Sequence, residues 1–191
     1  MMSSVLTAYE AVAVARTKHE SPRGWSIELP TGWRKIPDAT DKPLVVSRPE
    51  LFCCDDDWSL GITWTRIRVP SYKAMEQFCD LIQLNGVVPT VDADAVLSSL
   101  LPLPGQTTRT TAFGISSGER AMEVIKLITD TKNAPPRLGI DVLIAVGEGK
   151  TLESLYLDRL SFYANVDVFQ ALLPMIKESL HSFRLSATRP K

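Results

Sequence analysis

The segment from Arg120 to Leu160 reads RAMEVIKLITDTKNAPPRLGIDVLIAVGEGKTLESLYLDRL, and it decides the fold. It contains three apolar runs separated by residues that favour turns, which predicts strands over Arg120–Thr131, Leu138–Val146 and Leu152–Leu160. Neither connection is long enough to contain a crossover helix, so consecutive strands must pair antiparallel. An antiparallel sheet is therefore the central element of the predicted fold.

Further strands are predicted on the amino-terminal side of this sheet. The stretch Trp25–Leu29 alternates apolar and polar residues, which places its apolar side chains on one face of a strand. Residues Tyr9–Arg16 fit either a strand or a short helix, and Ser21–Gly24 fits a turn. The other predicted strands are Leu44–Arg48, which Leu51–Cys54 extends after Pro49, Leu60–Val69 and Thr107–Ser116.

Two helices are predicted between the two groups of strands. The first begins after Ser71, a good capping residue, and ends at Asn85-Gly86. Its apolar stripe consists of Tyr72, Met75, Phe78, Cys79 and Ile82. The second helix is Asp92–Leu101, with Asp92 or Asp94 as its predicted cap.

A long helix over Val166–Ser182 closes the predicted fold. Asn165 or Asp167 caps it, and Pro174 inside it predicts a kink or a division into two helices. The order of elements is strands, a helical pair, more strands and a final helix. Such segregated elements indicate an α+β fold in which helices flank an antiparallel β-sheet.

Composition narrows the class of protein. The 191 residues fit one domain, which we expect over residues 25–185, with an amino-terminal arm over 1–24 and a tail over 186–191. The net charge is -1, which predicts neither nucleic-acid nor membrane-surface binding by the chain as a whole. No signal peptide and no run of 18 apolar residues is found, and three cysteines make no disulfide framework. We therefore expect a cytoplasmic protein.

One stretch resembles a phosphate-binding loop, namely Gly147-Glu148-Gly149-Lys150-Thr151. The full pattern needs a glycine five residues before Gly149, where this chain has Ile144, and a helix immediately after the loop. The residues after Thr151 alternate as a strand does, so a hairpin turn is the better interpretation. Asp55-Asp56-Asp57 lacks the ligand spacing of a calcium loop and is interpreted as a solvated turn.

No catalytic residue, metal site or cofactor site is predicted. The two histidines, His19 and His181, lie in no motif that links them to a nucleophile or a metal. All four tryptophans fall in the first third of the chain. Trp25 and Trp64 fit a sheet core, whereas tryptophan beside arginine is also typical of protein interfaces. The candidate partner-binding residues are Trp33, Trp58, Trp64, Arg66 and Arg68.

Short motifs at both ends of the chain resemble the PsbP-like superfamily. The stretch Trp25–Trp33 is similar to its opening strand and Pro-x-Gly-Trp turn, and Leu44–Leu51 is similar to the second strand of bacterial DcrB-type members. The closing strand and helix are matched by Leu155-Tyr156-Leu157, Phe169, Ile176 and Ser182-Phe183. The resemblance implies an α/β/α sandwich and a non-enzymatic binding module, because cytoplasmic DcrB-type members include the Eag chaperones of secretion-system effectors.

Three functions follow as hypotheses. The first is a cytoplasmic chaperone or adaptor that binds a secretion-system effector, and it rests on the resemblance. The second is an immunity or inhibitor protein that binds a toxin. The third is weak nucleotide binding by the turn Gly149-Lys150-Thr151. In the first two the partner is another protein, and homodimerisation stays open.

Overall fold

A computed structural model describes residues 15–36, 49–54, 60–101, 103–115, 119–129, 135–147 and 155–185. Within these ranges the chain forms strands and three helices. The strands are β1 Arg16–Ser21, β2 Trp25–Pro30, β3 Trp33–Lys35, β4 Glu50–Cys54, β5 Gly61–Arg68, β6 Gly86–Val88, β7 Gln106–Gly114, β8 Arg120–Ile128, β9 Arg137–Val146, β10 Tyr156–Asn165 and β11 Arg184–Leu185. The helices are α1 Tyr72–Gln83, α2 Thr90–Leu100 and α3 Val166–His181.

The strands form two antiparallel sheets. The large sheet has the order β3-β4-β5-β10-β9-β8-β7-β6, and the small sheet has the order β1-β2-β11. Strand β10 lies near the centre of the large sheet, and its Leu160 lies opposite Val142 of β9 and Trp64 of β5. The predicted antiparallel pairing of the three consecutive strands is therefore confirmed.

Helices and the small sheet cover the large sheet on opposite sides. Helices α1 and α2 pack on one side through an apolar cluster that includes Phe78, Leu97 and Leu143. Helix α3 and the small sheet pack on the other side through a cluster that includes Trp25 and Ile176. The fold is thus an α+β sandwich in which helices flank an antiparallel sheet, as the sequence predicts.

The predicted cap of α1 is confirmed, whereas that of α2 is wrong. The Ser71 hydroxyl accepts a hydrogen bond from the Ala74 amide, and α1 ends before Asn85, whose φ is 53°. Helix α2 begins two residues earlier than predicted, because Pro89 rather than an aspartate precedes its first turn. Asp94 instead accepts a hydrogen bond from the Thr107 hydroxyl at 2.5 Å, which ties α2 to β7.

Two further boundaries differ from the prediction. Strand β10 continues past Leu160 to Asn165, because the buried side chains of Phe162 and Ala164 extend the every-second-residue pattern of burial. Helix α3 is not divided at Pro174. The proline itself is exposed, and buried residues on both sides of it hold the two halves of the helix against the sheet.

Strand β6 is not among the predicted strands; it has only three residues and adds an edge strand beside β7. The described part of the predicted arm, residues 15–24, forms β1 and the turn into β2. The predicted strand Leu44–Arg48 lies outside the described residues. In the described ranges no helix is both long and apolar enough to cross a bilayer.

Candidate functional site

A cluster of charged and aromatic side chains lies at one end of β4, β5 and β10, on the α3 side of the sheet. Strand register places it there, because Glu50 lies opposite Trp64 and Arg66 lies opposite Asp158. Side chains two residues apart point to the same face of a strand, so these residues share one surface. We call the cluster the Trp64 face, and it consists of Arg23, Lys35, Glu50, Trp64, Arg66, Arg68, Tyr156 and Asp158.

The indole of Trp64 forms the base of this face. It is 1% exposed and has two guanidinium groups near its ring, that of Arg23 at 5.2 Å and that of Arg66 at 5.6 Å from the ring centre. Arg66 also lies 6.0 Å from the ring of Tyr156. Contacts of this kind contribute roughly 0.5–2 kcal/mol each, depending on how far the cation is desolvated. They hold both arginines over the aromatic core.

A bidentate ion pair fixes the position of Arg66. Its Nε lies 2.7 Å from Oδ1 of Asp158, and its Nη2 lies 2.8 Å from Oδ2. The carboxylate is fully buried, and its hydrogen bonds raise the pKa of the Arg66 guanidinium above its ordinary value. A planar guanidinium held by two parallel bonds has little freedom left. Arg66 is therefore preorganised at the surface.

A second buried carboxylate organises the other half of the Trp64 face. Glu50 is 4% exposed and accepts a hydrogen bond from the Ser21 hydroxyl at 2.9 Å. Its oxygens also lie 2.8 Å from Nζ of Lys35 and 3.4 Å from Nε of Arg23. Because Ser21 and Arg23 belong to the β1–β2 hairpin, Glu50 ties the small sheet to the large one.

The Trp64 face is basic at its surface. Two buried carboxylates, Glu50 and Asp158, are surrounded by four cationic side chains, each of which is exposed or half-buried. Both carboxylates already bind these donors, so neither is placed to take up a proton from a substrate. The arrangement suits recognition of an acidic group, because arginine and aromatic side chains together are typical of interface hot spots.

The structure places the predicted partner-binding residues in two different settings. It brings Trp64, Arg66 and Arg68 to one face, where Arg68 is exposed and Arg66 is half-buried. Trp33 and Trp64 are buried in the α3-side cluster, at 7% and 1% exposure, so neither indole offers a partner an exposed ring. Trp58 lies outside the described residues.

A second polar network lies on the opposite side of the large sheet, around the fully buried Asp141. Its carboxylate lies 2.9 Å from Lys126 Nζ, 2.7 Å from Arg159 Nε and 2.6 Å from the Ser161 hydroxyl. The Tyr163 hydroxyl lies 2.7 and 2.8 Å from its two oxygens. Burial alone would raise the pKa of Asp141, but the charges of Arg159 and Lys126 outweigh burial and lower it.

This network has a structural character. Burial and the adjacent Asp141 raise the pKa of Tyr163, so the phenol stays protonated and donates to the carboxylate. Lys126 is 1% exposed, and burial lowers its pKa in spite of Asp141. Since four side chains already surround the carboxylate, Asp141 is not placed to accept a proton from a substrate as a general base would. The network joins β8, β9 and β10.

Sequence reasoning missed these buried charges. Each of them is a charged residue in a largely apolar strand, which is a signal that could have been used. A fourth buried carboxylate is that of Glu123, which lies 2.8 Å from Lys177 and 3.2 Å from His181 and joins α3 to the sheet. Burial would raise the pKa of Glu123, but its hydrogen bonds with His181 and Lys177 lower it.

Neither alternative chemistry gains support from the described residues. Across the ranges that the structure describes, no group of three or more His, Cys, Asp or Glu side chains is arranged to hold a metal ion. The chain after the phosphate-loop lookalike enters β10, which runs antiparallel to β9 from Tyr156 onwards. A phosphate loop opens a helix, whereas here a strand follows. Lys150 and Thr151 themselves lie outside the described residues.

Comparison with known proteins identifies the fold. The sequence matches no family model and no curated protein. The solution structure of the cyanobacterial PsbP (CyanoP) from Synechocystis sp. PCC 6803 is similar, with a TM-score of 0.53 and 12% identity over 90% of this chain and 92% of that one.

Two further solved structures are similar at lower scores. LpqN, involved in cell envelope biogenesis of Mycobacterium tuberculosis, has a TM-score of 0.48 and 14% identity over 90% of this chain and 91% of its own. The Saccharomyces cerevisiae Ran-binding protein Mog1p has a TM-score of 0.47 and 11% identity over 90% and 95%. At the identity shared with CyanoP the likeness concerns the fold alone. The chain therefore has the PsbP-like fold.

Proposed function

We propose that the chain is a protein-binding module that uses the Trp64 face to bind an acidic surface of its partner. One observation carries the proposal: Arg66 is held by Asp158 and by the ring of Trp64 in a single orientation at the surface. A preorganised arginine loses little conformational entropy on binding, which is the usual basis of a hot spot. Arg68, two residues further along β5, adds an exposed positive charge.

Two matched charge reversals test this proposal. Arg68→Glu reverses an exposed charge on the Trp64 face, and Arg109→Glu reverses an exposed charge on β7, away from it. Each variant and the wild type are used to capture partners from the native host, with quantitative mass spectrometry of the bound proteins. We expect one or more proteins to be lost at least about tenfold with Arg68→Glu and retained with Arg109→Glu. Equal capture by all three forms would overturn the role of the Trp64 face.

The more specific form of the proposal is a cytoplasmic chaperone or adaptor for a secretion-system effector. The resemblance of Leu44–Leu51 to the second strand of DcrB-type members supports it, together with the more general PsbP-like resemblance of Trp25–Trp33. An effector with an apolar helix among the proteins lost with Arg68→Glu would bear it out. Recovery of metabolic enzymes without any secretion component would contradict it.

A second candidate is an immunity or inhibitor protein, and the basic character of the Trp64 face favours it, because an acidic active-site rim is a suitable target. Here the captured protein should be a toxin whose activity falls on addition of the wild type but not of Arg68→Glu. Nucleotide binding is tested separately by Lys150→Ala. Unchanged nucleotide affinity in that variant would remove the third hypothesis.

A further inference from the structure

The layer formed by α1, β6 and α2 has an unusual charge pattern. Between Ala74 and Thr108 the sequence contains no lysine, arginine or histidine. Its four carboxylates are all exposed, namely Glu76, Asp80, Asp92 and Asp94. By contrast, the described residues from 15 to 71 carry seven Lys or Arg and three Glu. With Lys73 of α1 as its one cationic residue against four carboxylates, the helical layer is a negative surface on a chain of nearly zero net charge.

Apolar side chains are exposed in the same layer. Among the described residues, most of the exposed large apolar side chains lie in this helical layer. Tyr72 is 53% exposed, Leu84 59%, Val87 74% and Val91 78%. Single exposed apolar residues are ordinary on a protein surface, but a concentration in one layer marks an interaction site. Along α1, Glu76 and Asp80 lie between Tyr72 and Leu84.

Helix geometry aligns part of this set. Tyr72, Glu76, Asp80 and Leu84 follow at intervals of four residues along α1 and its cap, and all are exposed. Residues four apart lie on one face of a helix. We call this row the α1 face. It presents two carboxylates at its centre and an apolar side chain at each end.

A cleft opens beside the Tyr72 end of the α1 face. Its volume is about 400 Å³, and its walls come from α1, from the end of β9 and from Leu155, which precedes β10. The lining residues include Tyr72, Met75, Glu76, Cys79, Ala145 and Leu155. Except for Glu76, this lining is largely apolar, and methionine adapts readily to different shapes. The cleft is large enough to receive an apolar side chain of another molecule.

We propose that the α1 face and its cleft bind a cationic amphipathic helix of a partner protein. An apolar side chain of that helix enters the cleft, and its lysine or arginine side chains lie over Glu76 and Asp80. Charge complementarity selects this occupant, because α1 itself offers one lysine, Lys73, against two exposed carboxylates, and an acidic or neutral apolar helix would add no counter-charge. The site is separate from the Trp64 face, so the proposal does not depend on the function proposed above.

Two synthetic helical peptides of about 20 residues test the proposal. One consists of Leu, Ala and Lys in an amphipathic pattern, and the other has Glu in place of every Lys. We expect the Lys peptide to bind the full chain with a dissociation constant below about 100 µM, measured by fluorescence anisotropy, and the Glu peptide not to bind. Absence of binding by the Lys peptide overturns the proposal.

Matched variants separate local binding from general attraction to an acidic protein. The double variant Glu76→Lys/Asp80→Lys should weaken binding of the Lys peptide at least about tenfold. The control Glu28→Lys/Asp167→Lys changes the net charge equally at exposed sites elsewhere, and it should change binding less than about twofold. An equal loss in both double variants would overturn the proposal.

Cys79 supplies a second readout, because it lines the cleft while Cys53 and Cys54 are buried. Bound Lys peptide should slow the reaction of Cys79 with a thiol reagent, and Cys79→Ser identifies the reacting site. Unchanged reactivity at saturating peptide would place the peptide elsewhere and overturn the proposal. Sedimentation of the chain alone tests a second copy as occupant: self-association that Glu76→Lys/Asp80→Lys abolishes would also overturn it.

Discussion

Replacing Asp141 by asparagine tests the Asp141 network most directly. Asparagine keeps the shape of the side chain but removes the charge that neutralises Lys126 and Arg159. Breaking a buried ion pair by removing one partner typically costs about 3–5 kcal/mol, because the other charge stays buried and uncompensated. Lys126 is 1% exposed, so the full penalty applies to it. The free energy of unfolding of a typical domain is about 5–15 kcal/mol in total, so this loss of stability is large.

The effect of this substitution should depend on pH. Burial already holds the pKa of Lys126 below its ordinary value with Asp141 present, and removing the carboxylate lowers it further. The unfolded chain keeps an ordinary lysine pKa of about 10.4. Between these two values the unfolded state binds more protons, so the stability of Asp141→Asn rises with pH. The folded variant loses its proton from Lys126 at lower pH and so escapes part of the penalty.

Urea unfolding followed by tryptophan fluorescence, at intervals from pH 7 to pH 10, measures both effects. The double variant Asp141→Asn/Lys126→Met is the control, since it removes the more deeply buried of the two uncompensated charges. It should recover about 2 kcal/mol or more of the loss at pH 7 and show a weaker pH dependence. A loss below about 1 kcal/mol for Asp141→Asn would refute the reasoning, as would the absence of recovery in the double variant.

Three smaller perturbations follow from single contacts. Burial lowers the pKa of His19, so the stability of the wild type should fall as the pH drops below about 6.5. The variant His19→Phe should lack this decline between pH 7 and pH 5. Parallel curves of stability against pH for the two forms would contradict this prediction. In Gly139→Ala the added methyl group would overlap the ring of Tyr163, so we expect a loss of about 1–3 kcal/mol in urea unfolding, and an unchanged midpoint would be the contrary result. Ser71→Ala removes the cap of α1 and should cost about 1 kcal/mol, whereas a loss as large in the exposed control Ser99→Ala would exclude capping as the cause.

The apolar periodicities of the sequence predicted the elements because burial creates those periodicities. Trp25, Ile27 and Leu29 alternate in the sequence and are all buried in β2. Met75, Phe78 and Ile82 recur at helical spacing and are all buried in α1. The interpretation of Trp64 as a core residue is confirmed for the same reason. These signals are local, so one sequence is enough to read them.

The charged residues of the interior needed information that a single sequence does not contain. Asp158 can be paired with Arg66 only when the register of β5 against β10 is known, and 92 positions separate the two residues along the chain. Asp141 depends likewise on partners from β8 and β10. Pro174 failed as a helix break for a related reason, since the local loss of one backbone hydrogen bond is outweighed by burial of α3 on a distant sheet.

The burial of acidic side chains explains how a chain of net charge -1 can have strongly charged surfaces. Glu50, Asp158, Asp141 and Glu123 are buried, and each of them lies against cationic groups that are more exposed, Lys126 excepted. The Trp64 face therefore presents the outer ends of paired cations, while α1 and α2 present four exposed carboxylates and one lysine, Lys73. Two surfaces of opposite charge would attract different partners, which is the requirement for an adaptor. Both proposed contacts should weaken as ionic strength rises, because exposed charges are screened over about 8 Å at physiological salt. If one of them persisted unchanged in 1 M salt, apolar burial rather than charge would have to account for that contact.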